Sequence, residues 1–327
     1  MRKHSNTGNM VYFCAILILV LVMIFSGLQI LESTVLYSGN NSESTHVSKT
    51  ITRDGVDYFP RQDITVMMIL GIDKYGEVQP SGSYNNDGDA DMVALLIFDE
   101  KNETVSALAL NRDTMLEMPV LGIGGKQAGT VYQQLTLAHT YGSGLEDSCE
   151  NMKKTVSDFL YGINIDYYFS MNMDAISILN DAVGGVTVNV VDDFSGVDPS
   201  ITYGEVTLKG QQAINYVRSR KDIGDQLNIS RMQRHRTYID SFVRTLRQKV
   251  EESSTFAFNA YEKVSPYIVT DISSNVFSSI LQRYSDYTLT EIVSPEGENV
   301  RGEYMEFYVD EEKLDELILR LFYAPKS

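Results

Sequence analysis

From Met10 to Leu31 the chain reads MVYFCAILILVLVMIFSGLQIL, without a charge and with only Ser26 and Gln29 clearly polar. About 20 such residues cross the hydrocarbon core of a bilayer as a helix. Residues 1–9 carry Arg2 and Lys3 and no acid, and the first acid after the run is Glu32. The positive-inside asymmetry therefore predicts a cytoplasmic N-terminus (1–9), a single-pass anchor in the cell membrane (10–31) and an exported remainder. The rival reading is a cleaved signal peptide. The run is long for a signal core and no A-x-A-like cleavage site follows, which favours an uncleaved anchor.

Charge and composition remove several function classes. The chain has 27 Lys+Arg against 44 Asp+Glu, a formal net charge of −17. Without Arg2 and Lys3, 25 basic residues face the same 44 acids, so the exported part carries −19. General nucleic-acid binding needs the opposite sign. Two cysteines, Cys14 in the apolar run and Cys149 far from it, exclude a disulfide scaffold and a multi-Cys zinc site. No H-E-x-x-H or G-x-S-x-G occurs, and GIGG at Gly122–Gly125 lacks the G-K-[ST] that closes a phosphate loop.

Residues 32–63, rich in Ser, Thr, Asn and Gly, read as an extracytoplasmic stalk. From Ile64 the pattern changes. ITVMMILGID, MVALLIFD and ETVSALALNRD predict three buried strands, adjacent in one sheet. Helices are expected over 132–141, 150–161, 174–183 (stopped by Gly184-Gly185), 209–217 and 229–250, with strands at DYYFSM and VTVNV. Such alternation predicts an α/β fold, a layered αβα domain with a central mixed sheet over 64–250. Residues 251–327 read as a C-terminal extension packed on the same domain, ending in the amphipathic DEEKLDELILRLFY.

Two groups of residues carry chemistry. Arg218, Arg220, Lys221, Arg231, Arg234, His235 and Arg236 concentrate positive charge in an acidic chain, offset only by Asp222 and Asp225. Arg218 and Arg220 flank Ser219 and point alike in extended backbone. Arg231, Arg234 and His235 share one helix face at i, i+3 and i, i+4. Guanidinium groups bind phosphate bidentately, although such a run can equally be a solvated helix face. The second group is acidic: Asp73 ends the first strand, Asp87, Asp89 and Asp91 precede the second, and Arg112 and Asp113 follow the third. Charged residues just past apolar strands line ligand crevices of α/β sheets. Carboxylates with arginines suit a metal-bridged pyrophosphate. DGDAD can also be a plain polar turn or a loose calcium loop. It fails the EF-hand template, with Met92 where Gly is needed and Phe98 where the final Glu belongs.

In order along the chain, MMILGID, DADMVALLIF, ALNRDTM, LTLAHTYG, INIDYYFSMNMDAI, DAVGGVTVNV, LKGQQAINYVRSRK and GDQLNISRMQRHR resemble the LytR-CpsA-Psr family of bacterial cell-wall glycopolymer ligases. The resemblance runs from about Met67 to Arg236. It implies a membrane-anchored phosphotransferase. Its substrate is a glycan on polyprenyl pyrophosphate, its acceptor is peptidoglycan, and it uses Mg2+. By position in the family motifs, Asp73 and Asp91 would hold the metal, and Arg112, Arg218, Arg220 and Arg231 would clasp phosphate, joined by His235. Asp91 is in addition a candidate proton acceptor, so Asp91 and Arg112 stand as the catalytic pair. A long apolar lipid tail would need an apolar tunnel between sheet and helices, for which Val93, Leu95 and Ile97 are candidates.

Two departures stand out. Asp89, Ala90 and Met92 occupy positions where the family usually has arginine, serine and threonine around Asp91, and His235 replaces a glutamine. Either Asp89 points away from the head group, or Lys74 compensates it, or the substrate differs. The departures keep two alternatives open: a non-catalytic lipid-pyrophosphate binder acting as an envelope regulator, and a pyrophosphatase.

Overall fold

The computed structural model describes residues 50–325 except 54, 123–124, 220–222, 224–233, 235–236, 239, 243, 247, 250–251, 254–255, 274–275, 277–279, 281–282 and 285–286. The anchor expected over 10–31 lies outside the described residues, and among those no helix is long and apolar enough to cross a membrane.

The described part opens with two short strands, β1 (Ile51–Arg53) and β2 (Val56–Pro60). Then come β3 (Ile64–Ile72), β4 (Ala90–Asp99) and β5 (Thr104–Leu110), a hairpin of β6 (Met115–Leu121) and β7 (Gln127–Gln134), and a 3-10 helix Leu135–His139. Next are α1 (Glu146–Phe159), β8 (Tyr167–Asn172), α2 (Met173–Ala182), the pair β9 (Val186–Val190) and β10 (Gly204–Leu208), and α3 (Gln211–Arg218). The described residues between 237 and 249 are helical. The chain closes with α4 (Phe256–Val264), β11 (Ile268–Thr270), β12 (Thr288–Val293), the hairpin β13 (Gly297–Arg301) and β14 (Met305–Val309), α5 (Glu311–Phe322) and β15 (Tyr323–Pro325).

The central sheet has the order β11-β8-β3-β4-β5-β12. It is mixed: β3-β4 and β4-β5 run antiparallel, while β3-β8 and β5-β12 run parallel. Side chains of a strand alternate between faces, and both faces here are apolar, so β3 and β4 must be covered twice. Met67 and Ile69 of β3, with Met92, Ala94, Leu96 and Phe98 of β4, pack with α2, α3 and the ring series Phe194, Tyr216, Tyr238 and Phe242. Val66, Met68 and Leu70, with Val93, Leu95 and Ile97, pack with α1 and α5. This is the layered αβα architecture. Val93, Leu95 and Ile97 are 1%, 0% and 3% exposed, so these tunnel candidates are ordinary core.

Three segments differ from the sequence reading. Residues 51–60, read as stalk, form strands because β2 pairs with both β1 and the terminal β15. The residues after 251 supply both edge strands of the central sheet, β11 and β12, rather than packing on it from outside. The helix expected over 132–141 is instead the end of β7 followed by one 3-10 segment. The run Thr130-Val131-Tyr132 is β-branched and aromatic, and pairing with β6 takes it into a hairpin. The stop after α2 holds: Gly184 and Gly185 have φ of 91° and 97°, which L side chains rarely adopt.

Candidate active site

The first strands deliver their acids through a bulge. Gly71 pairs with Met92 and Ile72 pairs with Ala90, so Asp91 has no partner in the ladder. A bulge of this kind frees one side chain from strict alternation and re-aims it. The Asp89 carbonyl accepts from the amides of both Asp73 (3.0 Å) and Asp91 (3.1 Å), which brings two strand ends together at one oxygen.

The loop that carries these acids is held from below. Asn86, buried, accepts from the Gly88 amide at 2.7 Å through its side-chain oxygen. Its Nδ2 donates to the carbonyls of His139 (2.9 Å) and Gly142 (3.0 Å). Gly88 is required: a Cβ there would lie 2.8 Å from Asn86 Oδ1 and 3.1 Å from Ile72. His139 Nδ1 lies 2.7 Å from the Gly88 carbonyl. Burial pushes the His139 imidazole down to about 4, so it is neutral at pH 7. Sequence reasoning passed over Asn86 and His139 as site elements. Asn two residues before Gly is an Asx-turn signal that could have pointed to the first; nothing local marks the second.

Arg112 sits beyond β5, in a turn closed by the Asn111 side chain on the Asp113 amide (3.0 Å) and by Thr114 Oγ1 on the Asn111 carbonyl (2.6 Å). Its guanidinium pairs with Asp91 and stands 3.6 Å from Asp113. Burial opposes its charge, but Asp91, Asp113 and Asp89 outweigh burial and raise its pKa. From 145 residues further along the chain, Arg218 at the last position of α3 donates to Asp73 at 2.9 and 3.1 Å. It also bonds the Tyr75 hydroxyl and lies 5.6 Å over that ring. Acids from early strands and arginines from later elements thus converge.

The basic run divides. Arg234 does not join a phosphate-facing surface: it is 4% exposed and paired with Asp192 at 2.6 Å. It donates at 2.8 Å to the Ser219 carbonyl and lies 5.6 Å over Phe194. It therefore pins the residue between Arg218 and Arg220. Arg220, Arg231 and His235 lie outside the described residues.

The Asp89 side chain lies close enough to Asp91, Arg112 and Asp73 to feel their charges. Its carboxyl is half-buried, and its pKa is raised by burial first and then by Asp91 and Asp73, with Arg112 pulling the other way. Lys74 does not compensate it, because Lys74 pairs with Asp87. The carboxylate therefore adds negative charge beside the two paired acids.

Among the described residues, no three or more His, Cys, Asp or Glu side chains are grouped to hold a metal by themselves. Asp73 and Asp91 offer two hard oxygen donors on adjoining strand ends. Mg2+ is commonly held by one or two carboxylates plus substrate phosphates, and the pair fits that role.

A model of the LytR_cpsA_psr family matches residues 31–321. The chain belongs to this family. Over 328 residues it is 23% identical to the polyisoprenyl-teichoic acid–peptidoglycan teichoic acid transferase TagU of Oceanobacillus iheyensis, covering 95% of this chain and 93% of that protein. It is 27% identical over 245 residues to TagU of Bacillus subtilis, covering 74% and 70%. The fold matches the crystal structure of B. subtilis TagV with a TM-score of 0.55 and 22% identity, covering 80% of this chain and 96% of that one.

Proposed function

We propose that this chain is a membrane-anchored phosphotransferase that moves a glycopolymer from a polyprenyl pyrophosphate carrier onto peptidoglycan. The observation that carries this reading is the pairing of Asp91 with Arg112 and of Asp73 with Arg218 at one end of the sheet. Relatives named as teichoic acid transferases support the reaction class. The anchor would be residues 10–31.

Opposed charges stand ready to separate. Asp73 and Arg218 are 33% and 46% exposed in their side chains, and a pair that open is worth at most about 1 kcal/mol. An incoming pyrophosphate can therefore draw the arginines onto its oxygens at little cost. Mg2+, when bound, would be held by Asp73 and Asp91 and would offset phosphate charge. Arg112 and Arg218 clasp the phosphates, with Arg220, Arg231 and His235 proposed to complete the set. The acceptor hydroxyl oxygen forms a bond to the glycan-side phosphorus. The bond from that phosphorus to the bridging oxygen breaks, and polyprenyl phosphate leaves with the oxygen. The hydroxyl proton passes to Asp91 through the carboxylate oxygen that Arg112 leaves as it turns to phosphate. Positioning and charge neutralisation supply most of the rate in such transfers.

The test is a reconstituted assay with a glycan-bearing polyprenyl pyrophosphate, peptidoglycan and Mg2+, reading polyprenyl phosphate release and glycan attachment. Release that depends on the acceptor and disappears in Arg218→Ala supports the proposal. Release without acceptor would identify a pyrophosphatase, and tight binding without release an envelope regulator.

A further inference from the structure

The hairpins that follow the third central strand carry an exposed surface that the acid–arginine pairs do not use. β14 comes back from late in the chain to lie beside β6: Thr114 bridges Phe307 in parallel, and the Phe307 amide donates to the Asp113 carbonyl at 2.8 Å. Gln134 Nε2 of β7 donates to the Met305 carbonyl at 2.6 Å. The pairs β6-β7 and β13-β14 are thereby joined into one platform.

Alternation decides what the platform shows to solvent. Leu116, Met118 and Phe307 are buried, so Glu117 and Tyr308 between and beside them point away from the core. Cross-strand partners share a face, so Tyr132 joins Glu117, Glu298 joins Tyr308 and Val300 joins Glu306. Tyr132, Val300 and Tyr308 are 57%, 45% and 40% exposed. The two rings are neighbours: the Tyr308 pKa is raised first by its hydrogen bond to Glu306 and also by the Tyr132 phenol. The Tyr308 hydroxyl donates to Glu306 at 2.7 Å, and Thr130 Oγ1 donates to Glu117 at 2.8 Å, which holds a carboxylate beside each ring. Arg301, the one cation in the sequence of these four strands, pairs with Met305 and alternates to the other face.

Exposed apolar side chains rimmed by polar groups mark an interaction surface. With Glu117, Glu298 and Glu306 on it and no cation, this face repels phosphate and anionic lipid. A sugar ring presents C–H groups on its flat sides and hydroxyls around its rim, which suits aromatic faces set among acceptors. We propose that the platform binds the glycan strand of the acceptor, with sugars stacked on Tyr132 and Tyr308 and their hydroxyls donating to Glu117 and Glu306. The assignment rests on the phosphotransferase reading above, in which the acceptor hydroxyl belongs to peptidoglycan and gives its proton to Asp91. Position selects this occupant over a cationic peptide. The platform begins at Thr114, two residues past Arg112, on the side of the site where Arg112 pairs with Asp91. A strand that presents its hydroxyl to Asp91 has the hairpins directly beside it.

The experiment measures dissociation constants of the full chain, without donor, for two probes: peptide-free peptidoglycan glycan strands and a lysine-rich peptide. Removing both rings (Tyr132→Ala with Tyr308→Ala) is expected to weaken strand binding by about tenfold. Replacing both by Phe keeps the stacking faces and should hold the affinity within about twofold of wild type. In the reconstituted transfer assay the Ala pair should raise KM for the acceptor by a similar factor. If the double variant does not fold, Tyr132→Ala alone, at the more exposed ring, is expected to weaken strand binding by about threefold. Strand binding that is absent in the wild type, or unchanged by the Ala substitutions, would overturn the proposal. So would binding of the lysine-rich peptide in preference to the strands. A wild type that binds strands through these rings yet transfers nothing would bring down the phosphotransferase reading and leave the glycan-binding face standing.

Discussion

Arg218 and Arg234 belong to the same basic run and both meet an aspartate, yet they are opposite devices. Arg218 and Asp73 are 46% and 33% exposed, whereas Arg234 and Asp192 are 4% and 12% exposed. In the first pair solvent screens the attraction, so opening it costs little and a ligand can compete. In the second, removing one partner strands a charge in a low-dielectric interior. Identical chemistry thus gives a movable clasp at the surface and a fixed rivet a turn of chain away. Burial, not residue type, decides which arginine can meet a phosphate.

The largest expected effect tests the rivet. Asp192→Ala leaves the Arg234 guanidinium buried without its carboxylate and should cost about 3–5 kcal/mol, read as a lower urea midpoint. A loss below about 1 kcal/mol would erase the contrast. The clasp should respond in the other currency. Arg218→Ala and Arg112→Ala are expected to lower turnover by about 10²–10³-fold, in the manner of removing one charge-stabilising donor, while stability moves by less than about 1 kcal/mol. A large stability loss in either would make it a second rivet.

An intermediate effect should come from the frame beneath the acids. The His139 pKa is held at about 4 in the folded protein, below its ordinary 6.5, by burial. The unfolded chain therefore binds the extra proton between those values. The contribution is complete above about pH 6.5 and is lost as pH falls towards 4, amounting to roughly 3 kcal/mol. Carboxylates titrate nearby, so the readout is the difference between wild type and His139→Asn: the variant's stability should fall less steeply across that window. The smallest effect concerns Asp89. Asp89→Asn removes a half-buried carboxylate beside Asp91 and Asp73. Affinity for polyprenyl phosphate should rise a few-fold, within the roughly 1 kcal/mol of a partly screened charge. Weaker binding would show that Asp89 serves the ligand.

Periodicity made much of this molecule legible. The strands at Ile64–Ile72, Ala90–Asp99 and Thr104–Leu110 could be read directly, because fully apolar runs ending in Gly or Asp have few other homes. Asp73, Asp91, Arg112 and Arg218 were legible as strand-end and helix-end charges, and the structure brings them together. Less could be seen where distant pairing decides. The β6-β7 hairpin takes residues that read as helical, and the strands at 51–60 depend on a partner more than 260 residues later. Arg234 misled for a similar reason: helical spacing placed it with Arg231 and His235, but periodicity cannot reveal that Asp192 waits on the inner side. His139 was invisible because its importance comes from one carbonyl, Gly88, across the fold.

The small sheet in which β15 lies on β2 has a consequence of its own. Tyr323–Pro325 run antiparallel to Tyr58–Pro60, so the second and the closing strands of the folded unit are zipped side by side. A short linker could join Pro325 to Ile51, both of which face Tyr58 across β2, with new termini cut at the exposed turn around Gly302 between β13 and β14. Such a permutant should retain the fold, whereas trimming Tyr323–Pro325 would leave β2 paired with β1 alone.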